Sequence, residues 1–106
     1  MRTFKLSDMK GGWFVGNFDP CCLSLAECEV AIKHYRAGDE EPRHVHRVAI
    51  ELTAVAQGRV ALNGVHLVAG DVALLEPGEP AEFSALEDSI TVVVKAPSVP
   101  DDKFMA

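Results

Sequence analysis

The sequence predicts an all-β protein folded as a small antiparallel β-barrel. Short runs of β-branched and apolar residues recur along the chain, and Gly, Pro or Asn turn residues separate them. One separator, Asn63-Gly64, is the strongest two-residue hairpin signal known. The eight predicted strands are Glu29–Arg36, His44–Ala49, Glu51–Ala56, Arg59–Leu62, Val65–Val68, Val72–Leu75, Glu82–Ala85 and Ile90–Ala96. Closing such a sheet into a barrel removes strand edges that would otherwise invite aggregation.

The length of the chain indicates one domain. A sequence of 106 residues can build one hydrophobic core, so we expect a single domain over 1–106. We place the barrel core at about 29–96. Residues 1–28 are expected to form an N-terminal arm, and residues 97–106 a C-terminal tail.

The arm and the tail carry weaker signals than the core. In the arm, Gly11–Gly16 predicts an edge strand and Ser24–Cys28 a helical turn. In the tail, Pro97 and Pro100 cannot donate ladder hydrogen bonds. We therefore expect the tail to pack across the outside of the barrel or onto a partner subunit.

Composition excludes several classes of partner. The formal net charge of −6, with basic residues scattered singly, argues against nucleic-acid binding. No apolar run approaches the roughly 20 residues needed to span a bilayer, and no signal peptide is visible. Three cysteines, two of them adjacent (Cys21 and Cys22), make a poor disulfide framework. Free thiols in the cytoplasm are the expected arrangement.

His44 and His46 are the residues that indicate chemistry. Alternation along a strand places both imidazoles on one face. Glu51 follows, and we expect a tight bend to bring it onto the adjacent strand. Two imidazoles and one carboxylate suit Fe(II), Mn(II), Ni(II) or Zn(II) and leave coordination positions open. Taken alone, however, a His-x-His pair is more often a pair of surface or packing histidines.

A longer pattern around these residues resembles a known family. Gly38, His44, His46, Glu51 and Gly58 match every specified position of the first cupin motif, G-x5-H-x-H-x(3,4)-E-x6-G. The segment from Gly70 to Gly78 resembles the first half of the second cupin motif, G-x5-P-x-G-x2-H-x3-N. The resemblance implies a double-stranded β-helix, or jelly-roll, with His44, His46 and Glu51 as metal ligands facing its interior.

The second motif departs from the family pattern. Its histidine, the usual fourth metal ligand, falls at Ala81, and its asparagine falls at Ala85. The resemblance therefore implies an incomplete site with three ligands. Glu79, on the turn at the barrel rim, is the candidate for an additional ligand, whereas Glu82 should point away if Ala81 points inward.

The chain has two further histidines, His34 and His66. His66 follows the Asn63-Gly64 hairpin and is expected on the surface. His34 lies in the strand before Gly38, and periodicity alone does not decide whether it or its neighbours Lys33 and Tyr35 face the interior.

Three functions are compatible with the sequence, and it does not decide whether the protein is an enzyme. The first is a metal-dependent cupin that binds or acts on a small, carbohydrate-like molecule. The second is a metal-free sugar or sugar-nucleotide isomerase or epimerase, with His44 or His46 as the catalytic acid or base. The third is a non-catalytic module that binds a small molecule. A homodimer is expected, with Trp13, Phe14 and Phe18 of the arm suited to its interface.

Overall fold

Eleven strands and two short 3₁₀ turns make up the computed structural model, which describes residues 1–106. The 3₁₀ turns are Leu6–Asp8 and Lys10–Gly12. The strands are β1 (Trp13–Gly16), β2 (Leu23–Ser24), β3 (Glu29–Tyr35), β4 (Glu40–Val45), β5 (Ile50–Gln57), β6 (Arg59–Leu62), β7 (Val65–Val68), β8 (Val72–Leu75), β9 (Pro80–Ala85), β10 (Ser89–Ala96) and β11 (Phe104–Met105).

The strands form two sheets that face each other across the interior. A six-stranded sheet has the order β2-β1-β3-β10-β5-β8, and a five-stranded sheet has the order β11-β4-β9-β6-β7. All pairings are antiparallel except that of β1 with β2. The all-β prediction is confirmed, and the arrangement is that of a jelly-roll barrel.

Local turn signals predicted the centre of the chain well. Strands β6, β7 and β8 have the predicted bounds. The Asn63-Gly64 hairpin is present, with φ values of 51° and 77° at its two central residues, as a type I′ turn requires. The Asn63 side chain also bonds β9, donating to the Pro80 carbonyl and accepting from the Glu82 amide.

The prediction of a strand over His44–Ala49 was wrong. Strand β4 instead begins at Glu40 and ends at Val45. Pro42 is tolerated within it because the register against β9 shifts between Glu41 and His44, the irregularity expected where a residue cannot donate to the ladder. After Val45 the chain leaves the five-stranded sheet and crosses to β5 in the facing sheet.

The arm follows one prediction and contradicts the other. The predicted strand is present as β1, but it is not at the edge of the sheet, because it pairs with β3 on one side and with β2 on the other. The helical turn predicted at Ser24–Cys28 was wrong, because Leu23 and Ser24 are extended and pair in parallel with β1. Pairing with a neighbouring strand has overridden a weak local helix signal.

The tail does not continue a central strand. It runs past the open end of the barrel and adds β11 to the exposed edge of β4, where Phe104 pairs with Val45 and Met105 with His44. The tail thereby covers an edge of the five-stranded sheet directly beside the two histidines.

The hydrophobic core fills one end of the interior. Alternate residues of β5, β6, β8 and β9 point inward and form a buried cluster: Val55, Val60, Leu62, Leu75, Ala81, Phe83 and Ala85. The Tyr35 ring packs on Phe83 with the ring centroids 4.6 Å apart. The opposite end of the interior is polar, and it contains the candidate site.

The outer face of the six-stranded sheet is also apolar. Alternation leaves Ile50, Leu52, Val72 and Leu74 on this face, each between 39% and 61% exposed. Leu52 pairs with Leu74 across β5 and β8, so these side chains are adjacent. No helix of the structure is long and apolar enough to cross a bilayer.

Candidate metal centre

His44, His46 and Glu51 converge at the polar end of the interior. His44 lies near the end of β4, His46 follows it on the crossing loop, and Glu51 lies at the start of β5. One ligand atom from each residue can be chosen so that all three lie within 4.8 Å of one another. The sequence had suggested that the carboxylate comes from the adjacent strand. It comes instead from the facing sheet, because β4 and β5 belong to different sheets.

Main-chain carbonyls fix both imidazole rings. The His44 Nδ1–H donates to the Pro42 carbonyl oxygen at 2.9 Å, and the His46 Nδ1–H donates to the Asp102 carbonyl oxygen. In a neutral imidazole, a donating Nδ1 leaves Nε2 with its lone pair free. The rings lie edge to face with their centroids 5.1 Å apart. Each histidine therefore offers Nε2 as a ligand, held by the type of outer hydrogen bond usual at metal sites.

The charges of the site suit a cation. Burial alone would raise the pKa of Glu51, but the neighbouring His46 and Lys95 outweigh it and hold that pKa below its usual value. Burial lowers the pKa of His44, so its imidazole is neutral near pH 7. An ionised carboxylate and a neutral imidazole are the forms that bind metals.

One oxygen of Glu51 lacks a partner. Glu51 Oε2 lies 3.1 Å from His46 Nε2, yet it is buried and accepts no hydrogen bond of acceptable geometry. In neutral His46 the proton is on Nδ1, so Nε2 and Oε2 are two acceptors facing each other, and a divalent cation between them would satisfy both; in protonated His46 the Nε2–H would form an ion pair with Oε2 instead. The three side chains thus fit a divalent metal in donor type and in unmet bonding capacity.

A small cavity opens beside the three residues. Its volume is about 100 Å³. Beyond the ligand group, its polar lining comes from both sheets and the tail: Lys33, Tyr35, Glu41, Thr53, Thr91, Lys95 and Lys103. Trp13 closes one side, with the Lys95 ammonium 4.7 Å from its ring centroid. The candidate centre therefore has access to a compact, charged space.

Solved structures show which family has this architecture. A conserved protein with a double-stranded β-helix domain from Klebsiella pneumoniae is 27% identical, with a TM-score of 0.68 over 92% of this chain and 85% of that one. A cupin from Bacteroides fragilis is 25% identical, with a TM-score of 0.59 over 73% of this chain and 70% of that one. The protein has the fold of the small cupins.

More distant structures share the cupin fold alone. The DMSP lyase DddQ from Ruegeria pomeroyi superposes with a TM-score of 0.74 at 15% identity, over 89% of this chain and 49% of that one. No protein-family model and no curated protein matches the sequence.

The position of the usual fourth cupin ligand lies inside the cavity. Ala81 is buried, lines the cavity and pairs directly with His44 across β4 and β9. Glu79 is exposed on the turn before β9 and does not belong to the ligand group. Glu82 is exposed, pointing away from the interior as alternation required. The chain therefore brings three candidate metal ligands together, and none from the position of Ala81.

The remaining histidines lie outside the site. His66 is exposed on β7, as expected. His34 is exposed on the outer face of β3, so Lys33 and Tyr35 on either side of it are the residues that reach the cavity. There the Tyr35 hydroxyl and the Lys33 ammonium both donate to Glu41 Oε1, at 2.9 and 3.0 Å.

Asp102 is a residue of the candidate site that the sequence did not reveal. Its carboxylate accepts hydrogen bonds from the backbone amides of Arg47, Val48 and Ala49, at distances of 2.9 to 3.2 Å, while its carbonyl accepts from His46. It thus holds both the crossing loop and one ligand ring. Asp102 lies 56 residues from His46 in the chain, so no local pattern could have linked them.

Proposed function

We propose that this cupin binds one divalent transition metal, Fe, Mn, Ni or Zn, and uses it to bind or transform a small molecule. The observation that supports the proposal most strongly is the buried Glu51 Oε2, which has no hydrogen-bond partner and faces the free Nε2 of His46. His44, His46 and Glu51 would be the ligands. A metal bound there would act as a Lewis acid with open positions for a ligand or water.

The chain's own groups divide the remaining work. The Pro42 and Asp102 carbonyls orient the two ligand rings. Ala81 supplies no fourth ligand, so the side of the site next to β9 stays accessible to a small molecule. Trp13, at one side of the cavity, limits the entry of water, and this strengthens the electrostatic interactions inside the cavity.

Two alternatives remain as outcomes of the tests. In a metal-free isomerase or epimerase, His44 or His46 would move a proton on a sugar. A cavity of about 100 Å³ holds the volume of about three water molecules, so it cannot enclose a sugar nucleotide. In a binding module the small molecule would be held without reaction. The geometry of the Nε2 and Oε2 atoms favours the metal-dependent function over both.

Metal analysis tests the proposal directly. Protein purified and then loaded with Fe(II), Mn(II), Ni(II) or Zn(II) should retain close to one equivalent of at least one metal after desalting. His44→Ala should retain none, and His66→Ala, which removes an exposed histidine of β7, should retain one equivalent. Wild-type protein without metal under all four loadings would contradict the proposal.

Chelation separates the alternatives. Turnover of a sugar or sugar nucleotide that survives chelation but disappears in His46→Ala would indicate the metal-free enzyme. A co-purifying molecule that is released unchanged, with no turnover of any candidate, would indicate the binding module.

We also propose that the protein is a homodimer. The exposed Ile50, Leu52, Val72 and Leu74 form a charge-free surface that a second copy of the same surface can cover around a two-fold axis. Trp13, by contrast, lines the cavity, and Phe14 and Phe18 are half-buried. This proposal therefore places the interface on the outer face of β5 and β8 and not on the arm.

Light scattering tests the dimer. The expected mass is twice 11.4 kDa, and Leu52→Lys should reduce it to that of one chain. The matched control is Val68→Lys, which places a lysine at an exposed valine of the other sheet and should leave the dimer intact. Wild-type protein with a mass near 11.4 kDa would remove the proposal.

A reducing compartment, the cytoplasm, suits the proposed function. Cys21, Cys22 and Cys28 are free thiols, and such thiols persist where glutathione and thioredoxin keep them reduced.

A further inference from the structure

We infer that the molecule bound at this site is a small carboxylate, held beside the metal by the ammonium groups of Lys95 and Lys103. The inference rests on the proposed function, because it assigns a ligand class to the same site. It goes beyond that function by naming the chemistry of the ligand and the residues that select it.

The cavity does not share the negative charge of the whole protein. The chain has a formal net charge of −6, yet three lysines and two glutamates line the cavity. Even with Glu29 counted beside Lys95, the protein charges around the cavity cancel, and a divalent cation would leave two positive charges without a partner. An anionic ligand compensates such an excess, whereas a neutral sugar does not.

The three lysines differ in what they already contact. Lys33 is committed, since its ammonium lies 3.0 Å from Glu41 Oε1. Lys95 is mostly buried, and its closest carboxylate oxygen, on Glu29, lies at the limit for an ion pair, 4.0 Å. Lys103 makes no ion pair and reaches the cavity from the tail. Lys95 and Lys103 therefore have charge available for a ligand.

The position of Lys95 aims its charge at the centre. Lys95 of β10 lies directly between Glu29 of β3 and Glu51 of β5 in the same inward-facing row. A carboxylate that binds the metal would also lie next to this ammonium.

A polar group deeper in the cavity also lacks a partner. Thr91 Oγ1 is fully buried and has no hydrogen bond of acceptable geometry. It lies close to the Tyr35 hydroxyl, and although burial and Glu41 raise the pKa of Tyr35, Thr91 lowers that pKa by a smaller amount. A buried hydroxyl without a partner costs free energy, and an oxygen-bearing ligand can relieve that cost. The volume of about 100 Å³ limits the enclosed part of the ligand to a few non-hydrogen atoms. A carboxylate with one or two carbons fits this limit.

Acetate and acetamide form a matched pair of probes, equal in shape and different in charge. The protein is loaded with Co(II), whose visible spectrum reports its coordination, and each probe is titrated at constant ionic strength. We expect acetate to change the spectrum saturably and to bind at least about tenfold more tightly than acetamide. Lys103→Met and Lys95→Met should each weaken acetate binding by about tenfold while Co(II) binding changes less than about threefold. Lys5→Met, an exposed lysine outside the cavity, is the charge-matched control and should change neither.

The outcomes distinguish this inference from the proposed function. Bound Co(II) with equal affinity for acetate and acetamide, or with acetate affinity unchanged in both lysine variants, overturns the carboxylate ligand and leaves the metal function standing. If Co(II) does not bind, the same titration is followed by amide NMR shifts in metal-free protein. Shifts at Thr91 and Lys103 that vanish in Lys103→Met would support the carboxylate without the metal. Their absence would overturn the carboxylate ligand, and the four metal loadings described above decide the metal function separately.

Discussion

The two ends of the barrel interior differ although the same strands build them. On β5 the inward side chains change from Glu51 through Thr53 to Val55 within five residues. The apolar end, around Val55 and Val60, is fully buried, and Phe83 lies between it and the cavity. The polar end contains histidines, a carboxylate and lysines around a cavity, and burying such groups costs free energy unless they find partners. The apolar end contributes to the stability of the fold, and the buried polar groups of the candidate site reduce that stability.

Hydrogen bonds from the C-terminal tail help to order the polar end. The crossing loop after His46 has no strand partner, and the tail satisfies its amides through Asp102. The Arg47 guanidinium stacks on Phe104 of the tail, 3.8 Å from the ring centroid. The comparison therefore predicts that substitutions at the two ends have separable effects on stability and on metal binding.

The largest effect on metal binding is expected from His44→Ala. Loss of one of three ligands should lower metal affinity by more than the 10- to 100-fold typical of losing an outer partner, to at least about a thousandfold, or ~4 kcal/mol. The metal-free variant should unfold at nearly the same urea concentration as the metal-free wild type. Affinity is measured by competition with a chromophoric chelator. A metal-free variant destabilised as much as a core substitution would show that the two ends are not separable.

The opposite pattern is expected from Phe83→Ala. Removing a buried ring that packs on Tyr35 should lower the free energy of unfolding by about 3–5 kcal/mol, because a cavity replaces it. Urea denaturation measures the change, and folded variant should still bind one metal equivalent. Leu86→Ala, at an exposed leucine, serves as the control and should cost less than about 0.5 kcal/mol. A loss of metal binding from folded Phe83→Ala would tie the site to the apolar end.

The sequence predicted the two ends unequally. Strands β6, β7 and β8, which surround the apolar end, follow from turn residues next to them in the chain, such as Asn63-Gly64. The three residues of the ligand group came from a fixed motif spacing. The residues that support this group could not be predicted from the motif, because Asp102 and Lys103 reach the site only after the chain has folded. The end of β4 was predicted wrongly for the same reason, because contacts with the tail replace strand pairing after Val45.

Asp102→Ala should affect both ends of the comparison at once. The backbone amides of Arg47, Val48 and Ala49 would lose their acceptor, at a cost of about 1–3 kcal/mol in the free energy of unfolding. The loosened loop should also lower metal affinity by about 10- to 100-fold. Asp101→Asn, at an exposed neighbour, is the matched control for the charge, because asparagine tolerates the φ of 62° at this position. Unchanged metal affinity would mean that the tail does not position His46.

The acid limb of stability should report Asp102 separately. Burial alone would raise the pKa of Asp102, but the amides of Ala49, Arg47 and Val48 outweigh it and hold that pKa below its ordinary value of 3.8. A carboxyl whose folded pKa lies below its unfolded pKa adds stability above the unfolded value and loses it as the pH falls through the folded value. Metal-free Asp102→Asn should therefore lose stability less steeply than metal-free wild type below about pH 4, as measured by urea denaturation across pH. Equal slopes would contradict this assignment.

The smallest and most selective effect is expected at Ala81. Its side chain lies inside the cavity directly opposite His44, where Cβ atoms of paired residues are about 4.5–5.5 Å apart, so a histidine there can reach the metal. Ala81→His should tighten metal binding by about tenfold. Overpacking costs about 1–3 kcal/mol in a filled core and less beside a cavity, and this cost would reduce the gain.

Ala85→His is the control for Ala81→His, because Ala85 is equally buried and faces inward on the same strand, but at the apolar end. It should lower the free energy of unfolding by burying an imidazole without partners and should leave metal affinity unchanged. Competition titrations of both variants measure the difference. Tighter binding in neither variant would mean that the three ligands hold the metal in a geometry that leaves no position beside β9. Tighter binding in both would mean that the metal is not confined to the polar end.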